Sequence, residues 1–169
     1  ISGGGLVHMQ LGIIENCDVG IKFERFDHSN KSEISNLSMF RNNGTDIILK
    51  DNFGFKFENA QFNGIGLNNS YGLILYNSTI DHFKSNKISN KAYGILIFGG
   101  YPTVSGFVIG EREPLLQVQT RFRNCNVGIG FTSQGLGTID NMIIKDVEFE
   151  ECENGILAWG ESEFEIYDN

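Results

Sequence analysis

Two closely spaced carboxylates, Glu111 and Glu113, have the residue types that acid–base chemistry requires. A pair of Asp or Glu side chains can hydrolyse a glycosidic bond, and the distance between the two carboxyl groups decides the stereochemical outcome. Tyr101, earlier in the same segment, offers an aromatic face on which a sugar ring can stack. The alternative is a solvated loop in which Arg112 neutralises the two glutamates, and both interpretations stay open.

A further acidic candidate is Asp81, which directly precedes His82. Neighbouring residues on a strand point to opposite faces, so adjacency in sequence does not by itself create an acid–base pair. We therefore keep Asp81 beside Glu111 and Glu113 as a candidate catalytic residue, with a plain surface position as the alternative. The chain shows no phosphate-binding loop, zinc spacing or dinucleotide fingerprint, and we expect no cofactor and no metal.

The net charge of −8 is unevenly distributed along the 169 residues. Residues 146–169 hold nine carboxylates and no Lys or Arg, whereas residues 1–145 hold thirteen basic and twelve acidic residues. This balance argues against nucleic acid as a partner, because phosphate binding needs a basic surface. In the acidic tail, Glu161, Glu163 and Glu165 occupy alternate positions, which favours a strand with one solvated face over a divalent-cation site.

One short phrase recurs along the chain. Its clearest copies are FRNCNVGIGF at 122–131, IENCDVGIKF at 14–23 and FEECENGILAW at 149–159, with looser copies at 40–49, 68–75 and 90–98. The residue before the first Ile or Leu of each copy serves as an anchor, and successive anchors are 26, 26, 22, 34 and 27 residues apart: Gly20, Asp46, Gly72, Gly94, Gly128 and Gly155. Self-similarity at such a period indicates a repeat architecture.

The composition favours strands and turns. The chain has 21 Gly, two Pro, eighteen Asn and twenty Ile, a mixture that forms poor helices and good strands. A second apolar piece precedes several anchors, as at 37–43, 80–86 and 147–152, so each coil is expected to hold at least two short strands. A single coil cannot bury its own apolar side, whereas stacked coils share one core. Asn residues at the turns are then expected to form amide ladders along the stack.

The three cysteines share one position of the repeat. Cys17, Cys125 and Cys152 each lie three residues before the Gly of their copy, and Asn43 takes that place in another copy. An odd number of cysteines makes a disulfide framework a poor explanation. We predict an interior column with buried free thiols.

This pattern of Asn or Cys, two residues, Gly and Ile, repeated at coil length, resembles the right-handed parallel β-helix of the pectate-lyase-like superfamily. The resemblance extends over residues 11–160. It implies an all-β, right-handed, single-stranded parallel β-helix of six to seven coils, with residues 1–169 as a single domain. No apolar run is long enough to cross a bilayer, so we expect no membrane insertion. The opening ISGGG leads us to expect a fragment of a longer chain.

Within that superfamily, the Asn-rich, Gly-Ile-punctuated style looks most like bacteriophage tailspikes and tail appendages. The alternatives within the same fold are secreted pectinases and lyases, bacterial adhesin passengers and periplasmic carbohydrate-binding solenoids. A lyase of the pectate type needs clustered Asp residues for calcium and a basic residue that abstracts a proton. The sequence shows no such Asp cluster outside its acidic tail.

Alternation along the anchor strands predicts which side chains point outward. If the residue after each anchor points inward, an apolar stripe remains outside, formed by Ile48, Ile74, Tyr76, Leu96, Phe98 and Leu157. A contiguous apolar stripe normally marks a contact surface. We expect a subunit interface, because the phage spikes that this chain resembles are homotrimers. A covering loop of the same chain and an aromatic carbohydrate platform are the alternatives.

The resemblance implies a protein of the virion tail, assembled in the bacterial cytoplasm and acting at the extracellular surface. Its partner would be a bacterial surface polysaccharide or a teichoic-acid-like polymer. Tyr101 and Trp159 are the predicted glycan contacts, because aromatic faces match the CH faces of sugars. Three functions stay open: a receptor-binding protein without turnover, a glycan depolymerase acting as hydrolase or lyase, and a purely structural trimeric stalk.

Overall fold

A computed structural model describes residues 7–24, 32–36, 38–99, 104–105, 108–110, 119–133, 139–160 and 162–167. The regular structure of these residues consists of β-strands, and they contain no helix. The all-β prediction is therefore confirmed. Its physical basis is the abundance of Ile, Phe and Val, which fit a pleated and partly buried surface better than a helix.

The strands are short and follow one another around each coil. In chain order they are β1 His8–Gln10, β2 Ile13–Glu15, β3 Val19–Glu24, β4 Glu33–Ser35, β5 Met39–Arg41, β6 Thr45–Lys50, β7 Phe55–Glu58, β8 Gln61–Asn63, β9 Tyr71–Tyr76, β10 Ile80–Lys84, β11 Lys87–Gly99, β12 Val104–Ser105, β13 Val108–Ile109, β14 Thr120–Ser133, β15 Ile139–Lys145, β16 Val147–Glu150, β17 Asn154–Trp159 and β18 Ser162–Tyr167.

Strands of successive coils pair in parallel and build three faces. The first face contains β1, β4, β7, β10, β13, β15 and β18, with β12 also paired to β15. The second face contains β2, β5, β8, β16 and the first halves of β11 and β14. The third face contains β3, β6, β9, β17 and the second halves of β11 and β14. Stacked parallel strands place equivalent residues of the repeat directly above one another, which defines the parallel β-helix.

The described residues form a solenoid of about five turns, fewer than the six to seven coils that the sequence predicted. The six anchors lie on or beside the third-face strands, and six stacked strands enclose only five intervals between them. The stretch 53–67 adds no coil, because it supplies β7 and β8 of a coil that continues into β9. Each complete coil contributes strand segments to three faces, and β11 and β14 each continue over two of them, which confirms the expected minimum of two strands per coil.

Columns of apolar side chains fill the interior. On the third face the residues that follow the anchors point inward as predicted, and the central members of the column are completely buried: Ile47, Leu73, Ile95 and Ile129. On the second face Phe40 stacks on Phe62 with ring centroids 5.1 Å apart. The core exists only because coils stack, since each coil covers the apolar side of its neighbour.

Asn residues build many of the corners. Eight described Asn residues have φ between 44° and 58°, the left-handed conformation that Asn adopts more readily than other non-glycine residues: Asn16, Asn36, Asn42, Asn59, Asn69, Asn77, Asn90 and Asn124. The predicted amide ladders are present as well. Asn124 Nδ2 donates to Asn90 Oδ1 over 2.7 Å, and Asn90 Nδ2 donates to Asn63 Oδ1 over 2.9 Å.

Candidate functional site

The apolar stripe lies on the outer side of the third face. Ile74 and Leu96 are 8% exposed, and Tyr76 is 39% exposed. Ile48 and Phe98 are half-buried. Alternate residues of the same strands, such as Leu73 and Leu75, belong to the interior hydrophobic cluster, whereas Ile74 and Leu96 do not. The alternation that placed the stripe outside is therefore present, while its aliphatic members are more shielded than alternation alone suggests.

Two stacked aromatic pairs accompany these aliphatic side chains. Tyr71 and Tyr93 stack with centroids 5.6 Å apart, and Tyr76 stacks on Phe98 at 4.6 Å. Tyr93 and Leu96 converge above Gly130, where an added Cβ would lie 3.2 Å from carbon atoms of both side chains. The outer surface of this face is consequently apolar and largely aromatic. Whether a second subunit covers it stays a prediction.

The two ends of the stripe differ in character. At the end near β3, the Glu24 carboxylate forms ion pairs with the ammonium groups of Lys50 and Lys22, with N–O distances of 2.8 Å and 3.2 Å. Hydrogen bonds from these two ammonium groups, Lys50 first, lower the pKa of Glu24 to about 2. Towards β17, Leu157 is half-buried and Trp159 is 42% exposed. Trp159 therefore has the accessible ring that the predicted glycan contact needs, but its role stays a prediction.

The second face has a polar outer surface that the sequence analysis did not single out. Strand register creates two outward columns, one of Ile13, Met39, Gln61, Lys87, Arg121 and Glu148, and one of Glu15, Arg41, Asn63, Ser89, Arg123 and Glu150. The four inner coils contribute no carboxylate to either column. Besides Arg121 and Arg123, these coils carry the cations Arg41 and Lys87 on a chain whose net charge is −8.

The cations of the two columns have different partners. Arg121 pairs with Glu148 at 2.7 Å, and Arg123 pairs with Glu150 and Glu151 at 3.6 Å and 3.4 Å. By contrast, no described carboxylate lies within ion-pair distance of Arg41. The guanidinium Nη2 of Arg41 instead lies 3.2 Å from the Met39 sulfur, a weak acceptor that does not offset its charge.

A groove of about 310 Å³ opens between β5 and β8 on this outer surface. Its lining is polar and consists mainly of amide and guanidinium groups: Met39, Phe40, Arg41, Asn42, Gln61 and Asn63. The amide ladder is interrupted here, because Asn42 donates to Asn16 and Asn63 accepts from Asn90, with no side-chain bond between Asn42 and Asn63. The acceptor oxygen of Asn42 and the donor nitrogen of Asn63 are therefore left to solvent or a ligand.

Of the predicted catalytic residues, only Asp81 lies within the described part of the chain. It is half-buried at the start of β10, where the pairing with β7 shifts register. Its carboxylate lies beside the turn glycine of the preceding coil, 3.6 Å from the position of a Cβ added to Gly54. Glu111, Glu113 and Tyr101 lie outside the described residues, so the catalytic hypothesis and the Tyr101 contact stay predictions.

The cysteine column is only partly interior. Cys125 is buried and Cys152 is half-buried, but Cys17 is exposed, so the prediction of three buried thiols was wrong for Cys17. Cys17 belongs to the β2–β3 coil, and β2 and β3 pair on one side only within the described residues. Burial in a solenoid needs a coil on both sides, which Cys125 has and Cys17 lacks in this part of the chain.

The structure also contains a buried ion pair, between Lys91 and Asp46, that was not predicted from the sequence. Lys91 occupies the cysteine position of its coil, paired with Cys125, and Asp46 occupies an anchor position that is Gly in the other five copies. Both side chains are completely buried, and Lys91 Nζ lies 2.9 Å from Asp46 Oδ2. The sequence signal was present, since charged residues at two interior positions of a repeat can coexist only if they meet.

The described residues include no helix that is long and apolar enough to span a membrane. They also bring together no group of three or more His, Cys, Asp or Glu side chains that could hold a metal ion. Within the acidic tail, Ser162–Tyr167 form β18, which confirms the predicted strand. Glu165 and the adjacent Ile166 are both exposed, so the expected single solvated face is not seen at these two residues.

Comparison with known proteins gives no relative. No protein-family model, no curated protein and no solved structure matches the chain. The parallel β-helix is therefore established by strand pairing alone.

Proposed function

We propose that this β-helix is a segment of a bacteriophage tailspike or tail appendage that forms a homotrimer and binds a polysaccharide or teichoic-acid-like polymer on the host surface. The observation that carries the proposal is that two outer faces of the same β-helix differ in chemical character. The third face is apolar and aromatic, and the second face is rich in amides and carries two cations, Arg41 and Lys87, that have no carboxylate partner among the described residues.

The third face supports the assembly. Tyr76 is 39% exposed beside the half-buried Ile48 and Phe98, and equivalent surfaces of three parallel copies can cover these side chains around a three-fold axis. Exposed Tyr76 and its stacking partner Phe98 lie near the centre of the stripe. Flat aromatic pairs contribute large contact area with few rotamers to immobilise, which suits a subunit interface.

The second face supports polymer binding. Each coil adds one outward position to each column, so a repeating polymer meets side chains at regular intervals along the rod. Amide groups donate and accept hydrogen bonds and therefore match sugar hydroxyls. Turnover of the polymer stays a separate hypothesis that depends on Glu111 and Glu113.

Two measurements test the proposal. Light scattering during size exclusion gives the mass of the wild type, which we expect to be that of three chains, and of Tyr76→Asp, which we expect to shift towards one chain. Tyr76 is the test position because Ile74 and Leu96 are nearly buried, and a charge there would threaten the fold itself. Lys87→Asp, on the second face, is the matched control and should leave the mass unchanged.

Binding of the wild type to a panel of extracted bacterial surface polysaccharides, neutral and anionic, is the second measurement. Binding to at least one of them supports the proposal. A trimer that binds none of them would support the purely structural stalk, and a monomer that binds none would overturn both roles.

A further inference from the structure

We propose that the groove between β5 and β8 binds an anionic sugar unit of the polymer, with Arg41 as the residue that recognises its negative charge. This inference rests on the proposed function and makes it specific, because it names the site and the chemistry of the polymer. The shared chemistry is an anionic oxygen group, either the carboxylate of a uronic acid or the phosphate of a teichoic-acid-like chain.

The first support is the state of Arg41. It is exposed at the rim of the groove and has no carboxylate partner among the described residues. Every other Arg with described side-chain contacts on this face, Arg121 and Arg123, is neutralised by glutamates of the next coil. A guanidinium that lacks such a partner offers five donors in a planar fork, which fits the two oxygens of a carboxylate or phosphate.

Glu15 is the carboxylate best placed to neutralise Arg41, because the two residues are register partners on β2 and β5. No ion pair forms between them, and the guanidinium lies against the Met39 sulfur instead. Glu15 nevertheless lowers the local positive potential, since it lies on the neighbouring strand. Removal of the Glu15 charge should therefore strengthen the binding of an anion, whereas removal of the Arg41 charge should weaken it.

The second support is the set of hydrogen-bonding groups around the groove. Asn63 accepts from Ser89 and Asn90 through Oδ1, over 3.2 Å and 2.9 Å, so its amide donors are available to a ligand. Asn42 uses its amide nitrogen towards Asn16, so its oxygen is an available acceptor. Together with Gln61, these groups match the hydroxyls that flank an acidic group on a sugar ring.

The third support is the charge of the surrounding surface. Lys87, the other cation at the centre of the face, lies one coil beyond the groove and also lacks a described carboxylate partner. A polymer with one negative charge per repeat can therefore bind Arg41 and extend along the rod towards Lys87. The carboxylates of the two columns lie at the ends of the face, at Glu15 and at Glu148 and Glu150.

The experiment measures the affinity of the full chain for polygalacturonate, poly(glycerol phosphate) and neutral dextran by biolayer interferometry. Arg41→Gln should weaken binding of an anionic polymer by roughly tenfold. Glu15→Gln should strengthen it by about twofold to fivefold. Lys22→Gln, which removes a positive charge from another face, is the control and should leave the affinity unchanged. Circular dichroism confirms that each variant is folded.

The outcomes separate the site from the function. Polygalacturonate binding identifies the carboxylate as the recognised group, and poly(glycerol phosphate) binding identifies the phosphate. If the wild type binds dextran or another neutral glycan equally well, or if Arg41→Gln binds the anionic polymers normally, this site is wrong although the proposed function stands. If the wild type binds neither these three polymers nor any extracted surface polysaccharide, the proposed function fails as well.

Discussion

The ammonium group of Lys91 lies 2.9 Å from the carboxylate of Asp46 in the interior of the β-helix, where both side chains are fully buried. Lys91 also donates to the backbone carbonyl of Asn43, and the Asn43 amide donates to Asp46 Oδ1 at 3.0 Å. Lys91 reaches past β9 to make these contacts, and Gly64 leaves room for it, since a Cβ there would lie 2.8 Å from Lys91 Cδ. One polar cluster thus connects coils that are not adjacent.

Removal of one partner should destabilise the protein more than removal of both. Lys91→Met leaves the Asp46 carboxylate buried without a counter-charge, and we expect a loss of about 3–5 kcal/mol in the free energy of unfolding. Asp46→Asn should cost a similar amount for the converse reason. The double variant should lose less than the sum of the two single losses. Urea denaturation followed by circular dichroism measures all four proteins, with Lys87→Met as an exposed control. Additive losses would contradict a direct pair.

The same pair should give the stability a characteristic pH dependence. Burial raises the pKa of Asp46 from 3.8 to about 6, and the neighbouring Lys91 ammonium opposes this shift only in part. The folded state therefore binds the proton more tightly than the unfolded chain. The resulting stabilisation is complete below about pH 4 and is lost as the pH rises through about 6.

Between pH 7 and pH 4.5 we therefore expect the free energy of unfolding to increase by about 2 kcal/mol more in the wild type than in Asp46→Asn. Glu24 does not interfere in this window, because its pKa is lowered to about 2 and its contribution is lost only at more acidic pH. Urea titrations at several pH values make the measurement. Parallel pH profiles for the two proteins would show that Asp46 is ionised throughout.

Cys152 should react as a thiolate near neutral pH. A hydrogen bond with the Cys125 side chain lowers the pKa of Cys152 to about 7, against the opposing effect of burial. The same contact, followed by burial, raises the pKa of Cys125, so the negative charge rests on Cys152. In a Cys17→Ser background, which removes the exposed thiol, iodoacetamide alkylation should rise with pH around a midpoint near 7. Cys125→Ala should move that midpoint upward, and an unchanged midpoint would exclude the coupling.

The corner residue Asn124 separates backbone conformation from the amide ladder. Its φ is 50°, and its side chain donates to Asn90. Asn124→Gly keeps the left-handed conformation at no steric cost but loses the ladder bond, whereas Asn124→Ala loses both. We expect Ala to lower the free energy of unfolding by about 1–2 kcal/mol more than Gly does. Thermal unfolding with the two variants side by side measures the difference, and equal losses would leave the ladder as the only contribution.

Several features of the fold could be read directly from the sequence. The anchors and the Ile or Leu after them fixed the inward column, because a strand has a side-chain period of two and each coil repeats the phrase. The same alternation predicted an outward position for Tyr76, which is 39% exposed, whereas Ile74 and Leu96 were also predicted to point outward but are only 8% exposed. Asn at the corners followed from its tolerance of positive φ. These inferences succeeded because they depend on local geometry and on one neighbouring coil.

The candidate groove was not foreseen, for a related reason. Arg41 and Asn63 lie on different coils, and the segment between β8 and β9 has no counterpart of equal length in the other coils. Pairing Gln61 and Asn63 with Met39 and Arg41 requires the register of the second face, whereas the repeat was aligned on the third. Alignment of the apolar pieces that precede the anchors would have placed these polar residues side by side.

By itself, the sequence determined that this chain is a parallel β-solenoid with an apolar interior column and Asn-rich corners, because each of these follows from a periodic pattern and short-range sterics. Only the tertiary structure decided the number of turns, the exposure of Cys17, the meeting of Lys91 with Asp46 and the position of Arg41 away from every described carboxylate. Those properties depend on which coils stack above and below a residue and on how far a side chain reaches, and neither is encoded in the repeat.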